Sequence, residues 1–433
     1  MSGFLDDWLP PIPQNWRVKP LFALATERSR PNTGLPESRV LSLSYGKVVE
    51  RDVESNYGLL PETFEGYNIV EPDDIVMRLT DLQNDQRSLR TGQVTERGII
   101  TSAYVTIVPS ADLTPRFAHF LLHGYDLAKV FYRMGGGLRQ SLKYADLKRL
   151  PLLVPPRSEQ TRIANFLDEQ TARIDALIAE KERLVGTLKN LRAEAIDHTV
   201  LGGEIKERGQ PLNGLHVLGR APRGWDVSRM KYELDYVTSG SRGWADYYAD
   251  DGAIFIRIGN LTRDSITLDL ADVQRVVLPN AAEGVRARVR PGDLLISITA
   301  YLGSVAVAPS EIEEAYVSQH VSLARPNFVR AIPDWLGYVV LSGVGKTFFD
   351  LQAYGGTKIQ LSLDDIREMP VPLPSLDEQK RRIARLERRL AQLAHLEKHV
   401  AEHIALLREY RSSLISAAVT GQLDIDNFGR GAA

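Results

Sequence analysis

Leu150 to Gln170 reads LPLLVPPRSEQTRIANFLDEQ, and Met369 to Arg389 reads MPVPLPSLDEQKRRIARLERR. Each segment joins a short apolar run to prolines and then opens abruptly into a helical pattern. In the second, Ser375 and Glu378 have the spacing of a capping box. Working outward, the same features recur in the same order. Pro151 precedes Pro370 by 219 residues, and that offset also relates Glu159-Gln160 to Glu378-Gln379, Gly136-Gly137 to Gly355-Gly356, Asp146 to Asp365 and Gly202 to Gly421. Upstream, PQNWRV (Pro13 to Val18) is echoed by PRGWDV (Pro222 to Val227), and EPDDIVM by RPGDLLI. Ordered similarity across most of each half is the mark of an internal duplication. The implied plan is domain, helix, domain, helix.

Each half begins with short alternating apolar stretches broken by Gly, Asn, Asp and Pro, such as RVLSLSYGKVV, SAYVTIV, AIFIRIGNL and DLLISITA. That pattern predicts strands and turns. Helical patches come late in each half, in RFAHFLLHGYDLAKVFYRM and DWLGYVVLSGVGKTFFDL, so each domain reads as α+β. Each half then ends in a helix of about 40 residues, roughly 60 Å at 1.5 Å per residue. In the first, Ile163, Leu167, Ile174, Leu177, Leu184, Leu188 and Leu191 form a seam interrupted by Gln170 and Lys181. In the second, Ile383, Leu386, Leu390, Leu393, Val400, Ile404, Leu407 and Leu414 do so, interrupted by Glu397 and Arg411. Three-four spacing sustained over four heptads predicts a coiled coil. If each domain sits at the start of its own helix, and the first helix must deliver the chain to the second domain, the helices run antiparallel. The expected divisions are residues 1–156, a first helix over 157–203, a second domain over 204–374, a second helix over 375–421 and a tail over 422–433, with Gly202-Gly203 and Gly421 as helix stops.

The 433 residues are 43% hydrophobic and 25% charged, which suits two or three soluble domains. No cysteine is present, which removes disulfides, thiolate metal sites and cysteine nucleophiles. No apolar run approaches the length of a membrane span, so no membrane partner and a cytoplasmic location are expected. The formal net charge of −2 means that any role on nucleic acid needs local basic surfaces. GVGKT at Gly343 to Thr347 resembles the end of a phosphate-binding loop, but Val340 stands where the pattern needs its first glycine. It reads better as a turn of helix with a surface lysine. His395, His399 and His403 share a helix face and could hold a metal, but they flank an apolar seam beside many arginines, and a solvated or partner-facing stripe is preferred. There is no Asn-Pro-Pro-aromatic methyltransferase motif and no Gly-x-Ser-x-Gly, so no catalysis and no metal or cofactor in the chain itself are expected.

GGLRQSLKYADLKRLPLLVPPRSEQTRIANFLDEQTARIDALI and GGTKIQLSLDDIREMPVPLPSLDEQKRRIARLERRLAQL both resemble the signature of type I restriction-modification specificity subunits. The shared features are a glycine turn, a basic residue, Leu-x-x-x-Asp-[Leu/Ile], an apolar-proline run and Glu-Gln opening a long helix. The resemblance implies two target-recognition domains that each read half of a split double-stranded DNA sequence. It implies helices that set the gap and bind two methyltransferase subunits, with restriction-translocase subunits joining them. The complex would then use S-adenosylmethionine, and ATP and magnesium with the restriction subunits.

Candidate DNA contacts follow from chemistry: Arg, Asn, Gln and aromatic side chains on turns can bond base edges or stack. The first domain offers Arg78, Gln83, Asn84, Arg87 and Arg90; the second offers Arg242, Trp244, Asn260 and Tyr301. Arg139 and Lys358 follow the Gly-Gly turns, where backbone amides can approach phosphate, and Lys143 lies close by. Lys380, Arg381, Arg382 and Arg385 crowd the start of the second helix, either as contacts to spacer phosphates or as a solvated face with intrahelical ion pairs. The competing reading is a coiled-coil scaffold that binds only proteins. A basic concavity on the domains would separate the two.

Overall fold

The computed structural model describes residues 11–53, 61–83, 89–134, 141–212, 218–278, 284–353 and 360–429. The chain gathers into two compact units, one of residues 1–182 and 402–433, the other of residues 183–401. Both long helices are therefore shared, each unit holding the start of one and the end of the other. The units are α+β, and they repeat one internal scheme.

In the first unit, β1 (Arg17–Pro20) leads to β2 (Ala25–Glu27), a hairpin of β3 (Leu41–Ser44) and β4 (Lys47–Glu50), then β5 (Asn68–Val70), β6 (Ile75–Met77), β7 (Thr91–Gln93), β8 (Gly98–Ile100) and β9 (Val105–Pro109). Helix α1 (Pro115–Leu127), a short α2 (Tyr144–Leu147), β10 (Pro151–Val154) and the long α3 (Arg157–Val200) follow. A four-stranded antiparallel sheet has the order β2-β9-β6-β7, and β5 pairs with β8. β1 and β10 form an antiparallel clasp from Arg17↔Val154 to Pro20↔Pro151, so the domain opens and closes at one place.

The second unit begins with paired β11 (Arg208–Pro211) and β12 (Arg220–Pro222), then β13 (Asp226–Arg229), β14 (Leu234–Ser239), β15 (Tyr248–Ala249), β16 (Ala253–Ile256) and β17 (Gln274–Val276). It continues with β18 (Leu294–Ser297), β19 (Val305–Val307), β20 (Ala315–Val317) and β21 (Val321–Pro326). Helices α4 (Pro333–Leu341), α5 (Gly343–Gln352) and α6 (Leu363–Glu368), then β22 (Pro370–Leu373) and α7 (Leu376–Val419), complete it. Its main sheet, β14-β21-β18-β19, matches the first unit's order, and β13 clasps β22 from Asp226↔Leu373 to Arg229↔Pro370. A second sheet, β15-β17-β16-β20, contains the parallel pair β16/β20.

The fully apolar central strands follow from a sheet buried on both faces. In β6, Ile75 and Met77 join the core under α1, while Val76 turns to a smaller cluster with Val70, Val94 and Ile100. In β18, Leu294 and Ile296 face the core of α4 and α5, while Leu295 faces a larger second cluster with Trp244, Phe255 and Tyr316.

The Glu-Gln motif is a joint. Gln160, 1% exposed, donates from Nε2 to the carbonyls of Asp112 and Pro155 and accepts from Thr114 N–H at 2.8 Å. Gln379, fully buried, donates to Pro374 O and accepts from Ile332 N–H, each at 2.9 Å. Each glutamine thereby ties the first turn of a long helix to the residues that start a domain helix. The helix ends repeat as closely. Gly202 (φ 58°) and Gly421 (φ 72°) occupy the left-handed position of Schellman turns, closed by Gly203 N–H to His198 O and Gln422 N–H to Ala417 O. A Cβ at Gly202 would strike Pro222 and approach Trp225, and one at Gly421 would strike Pro13 and approach Trp16. The Pro-x-x-Trp echo is thus the seat on which each long helix ends.

Within each unit the two helix segments run antiparallel. Asp175 meets Arg411 and Glu182 meets Arg408 in the first unit, and Arg192 meets Glu397 in the second. The polar interruptions at Glu397 and Arg411 are therefore ion-paired. The apolar seam differs from the sequence expectation, because Leu177, Leu184 and Leu191 are 46%, 43% and 36% exposed. Ile163, Leu167 and Ile174 are buried in the first unit's core, as Ile196 and Val200 are in the second's. Leu188, Leu393 and Ile404 of the same seams are buried, so only part of each predicted apolar stripe is covered. No helix among the described residues is long and apolar enough to cross a membrane.

Candidate nucleic-acid interface

In the second unit, three loops named from the sequence converge. The residues after β14, those after β16 and the turn after β18 all meet the Ser318–His320 turn between β20 and β21. Ser318 N–H bonds Ile256 O at 2.9 Å, Gly240 N–H bonds Ser318 O at 3.3 Å, and Ile298 N–H bonds His320 O at 3.1 Å. The loops after β14 and β16 and the Ser318–His320 turn line a pocket of about 550 Å³ whose described lining includes Trp244, Tyr248, Phe255 and Arg257 and no carboxylate.

Within these loops two candidates are corrected. Trp244, 3% exposed, stacks on Phe255 at 5.4 Å and meets Tyr316 edge-on, so its ring belongs to the core and not to a free stacking surface. Asn260, also 3% exposed, accepts from Arg257 N–H and donates to the carbonyls of Asp269 and Asp272. Its amide is saturated by its own loop, as Asx turns require. Arg242 is exposed. Tyr301 is 53% exposed, with the Arg263 guanidinium 3.3 Å above its ring.

In the first unit Arg90 is the main correction. It is fully buried, and its guanidinium donates to the carbonyls of Arg78, Thr80 and Asp81 and to Tyr132 Oη. The cation holds the 78–81 loop in shape and is not presented to a ligand. Gln83 and Lys143 are exposed and Arg78 is half-buried. Asn84, Arg87, Arg139 and Lys358 lie outside the described residues.

At the start of α7, a cavity of about 460 Å³ is lined by Arg381, Arg382, Arg385 and Arg389 together with His198, Glu204 and Glu378. Arg382 is the exception among the spacer-phosphate candidates. Only 8% of its side chain is exposed, it bonds Glu378 at 2.7 Å and Glu204 at 3.0 Å, and it lies over the Trp225 ring. Its charge is neutralised within the fold. Arg381 is 72% exposed but paired with Glu378, and that pair holds the Glu378 carboxyl below its usual range. Arg385 is 78% exposed with Glu204 at 4.0 Å. Lys380, Arg388 and Arg389 are exposed, with no ion-pair partner among the described residues.

GVGKT opens α5, and its place is taken. Gly343 N–H donates to Asp197 Oδ1 of α3 at 2.6 Å, so a carboxylate of the protein occupies the helix N-terminus where a phosphate would sit. Burial raises the Asp197 carboxyl above its usual range, against the pull of that bond and of Lys346. His395 and His399 face each other at 3.1 Å on the exposed side of α7. Among the described residues no three His, Asp or Glu side chains converge as a metal site would need.

Sequence reasoning passed over Arg257, Arg263 and the Ser318–His320 turn. Their signal was the polar break SQH inside the apolar run YVSQHVSLARP, at the place where the first domain has TSAY inside IITSAYVTIV.

The architecture defines a tandem pair of sheet domains, each clasped at the start of a long helix, with the helices antiparallel in each unit. Residues 276–405 match the family described as the type I restriction modification DNA specificity domain. The type I restriction enzyme EcoBI specificity subunit of Escherichia coli is 24% identical over 316 residues, 71% of this chain and 65% of that protein. The EcoKI specificity subunit of Escherichia coli strain K12 is 22% identical over 317 residues, again covering 71% and 65%. The chain thus spans just under two-thirds of the length of these relatives. A solved chain described under complex assembly and conformational transition of the type I R-M system shares the fold, with a TM-score of 0.65 and 19% identity over 96% of this chain and 100% of that one. Residues 276–405 thus carry a type I restriction modification DNA specificity domain, and the chain is similar to type I restriction enzyme specificity subunits over 71% of its length.

Proposed function

We propose that this chain is a non-catalytic specificity subunit that reads a split double-stranded DNA target, one domain per half-site. Its helices hold the two domains and receive two methyltransferase subunits, and restriction-translocase subunits join that assembly. S-adenosylmethionine, ATP and magnesium serve those partners, and the work is done in the cytoplasm where the DNA lies. The observation that carries the reading is the duplication of a complete frame, with sheet order, clasp, Gln joint and Gly-on-Trp seat repeated, while the loops at the strand ends differ. A repeated scaffold with unlike loops is what two readers of unlike half-sites need. The acid-free pocket of the second domain and the open cations Lys380, Arg388 and Arg389 support DNA over a purely protein-binding scaffold.

The test is methylome sequencing with and without the gene, then with residues 15–150 exchanged for those of a relative. Loss of adenine methylation at a bipartite motif is expected in the first comparison, and change of one half-site only in the second. No motif lost, or both halves altered, would refute the reading.

A further inference from the structure

The pocket formed by the loops after β14 and β16 and the Ser318–His320 turn holds unsatisfied polar side chains. Ser318 is 5% exposed, and its Oγ is buried with no hydrogen-bond partner. The Oε1 of Gln319 is buried and equally without a partner. Its Nε2 lies 3.0 Å from His320 Nε2. An amide nitrogen only donates, so that ring nitrogen accepts. The ring proton then sits on Nδ1, 3.1 Å from Thr299 Oγ1. The relay orients the amide and leaves its carbonyl oxygen as a held acceptor. A buried carbonyl or hydroxyl left unpaired is costly, so two in one pocket point to a ligand that completes them.

The rest of the pocket defines that ligand. One wall is aromatic, with Phe255 backed by Trp244 and Tyr248 at 45% exposure. Among the described residues the side chain of Arg257 has no partner and no acid lines the site. A flat group carrying a donor, attached to an anion, fits these surfaces.

We propose that this pocket reads one base of the half-site taken by the second domain, with Gln319 Oε1 accepting from the exocyclic amino group of adenine or cytosine and Arg257 meeting the adjoining phosphate. The inference rests on the DNA reading proposed above. In the major groove the exocyclic amino groups of adenine and cytosine are the donors, whereas guanine O6 and N7 and thymine O4 would set oxygen or nitrogen acceptors against the carbonyl.

The test is a double-mutant cycle on DNA binding by the chain assembled with its methyltransferase subunits. Each adenine or cytosine of the second half-site is replaced in turn by an analogue lacking the amino group. For the unaltered protein, one replacement is expected to weaken binding about tenfold. For Gln319→Leu the same replacement should have no effect, while discrimination at the first half-site stays intact. Gln319→Glu keeps its acceptor atoms and should keep the tenfold effect. Arg257→Ala should weaken all sequences alike and lower the salt dependence by about one phosphate contact. If the unaltered protein discriminates bases but no position couples to Gln319, the pocket assignment is overturned and DNA reading stands. If the unaltered protein discriminates no sequence, both readings fall.

Discussion

In the first domain Asp74 accepts from Glu71 N–H and pairs with Arg28, which follows β2; in the second, Asp293 accepts from Arg290 N–H and pairs with Arg325, on β21. The acid is in the same place and its cation comes from a different strand. Likewise Glu159 accepts from Trp16 Nε1, whereas its counterpart Glu378 pairs with Arg381 and Arg382. Backbone-directed bonds are held to the residue across the two domains, and side-chain partners are exchanged freely around them. What the frame demands is a bond to a particular N–H or C=O, and any cation in reach can neutralise what is left.

This contrast can be broken experimentally, and the largest effect should come from a residue with no counterpart in the second domain. Arg90→Leu removes donors from three carbonyls and Tyr132 Oη at once, and is expected to destabilise the protein by at least about 3 kcal/mol in denaturant unfolding. Arg242→Ala, an exposed position in the second domain, should leave that unfolding curve unchanged.

The glutamine joints come next. Gln160→Ala abandons three bonds and Gln379→Ala two, so both should destabilise by about 1–3 kcal/mol, the first more than the second. Equal losses, or a larger one at Gln379, would show that the third bond at Gln160 adds nothing to its joint.

Acid separates the domains more gently. Burial lowers His119 to about 4 and His123 to about 3, and Arg411 adds to both shifts, while α4 and α5 of the second domain carry no histidine. Unfolded, both rings bind protons from about pH 6.5 downward. Folded, they stay neutral until about pH 4. Their contribution is therefore complete above pH 6.5 and is lost as pH falls towards 4. The melting temperature should drop over that window, and His123→Leu should make the drop shallower.

The smallest effect sharpens the contrast between paired and open cations on α7. Arg389→Ala should leave stability within about 0.5 kcal/mol and reduce the salt slope of DNA binding by about one. Arg382→Ala should lower the melting temperature instead, because it removes the buried cation that bridges Glu204 and Glu378.

The frame was legible because each of its devices leaves a backbone signature in sequence: Glu-Gln after prolines, glycine after a long helix, Pro-x-x-Trp before a domain. The reading surface was less so. Arg90, Trp244 and Asn260 were chosen as residue types able to bond or stack on bases, yet the same abilities let them saturate loop carbonyls or fill a core, and burial decides between the two uses. Ser318–His320 escaped notice because its three polar residues interrupt a strand pattern by one short turn, and only the parallel pairing of β16 with β20 brings that turn beside the loops after β14 and β16. The exposure of Leu177, Leu184 and Leu191 was hidden for a related reason, since a heptad shows which face is apolar and not how much covers it.

The clasp has a consequence for heredity. Because Arg17 lies opposite Val154, and Asp226 opposite Leu373, everything between those residues is a closed excursion from the clasp. A genetic crossover that trades one excursion for another has to preserve a four-residue strand on each side and the residues that meet the long helices, such as the Thr114 and Ile332 N–H groups on Gln160 and Gln379. Where those contacts are kept, an excursion can be traded whole, by shuffling, without rebuilding the long helices.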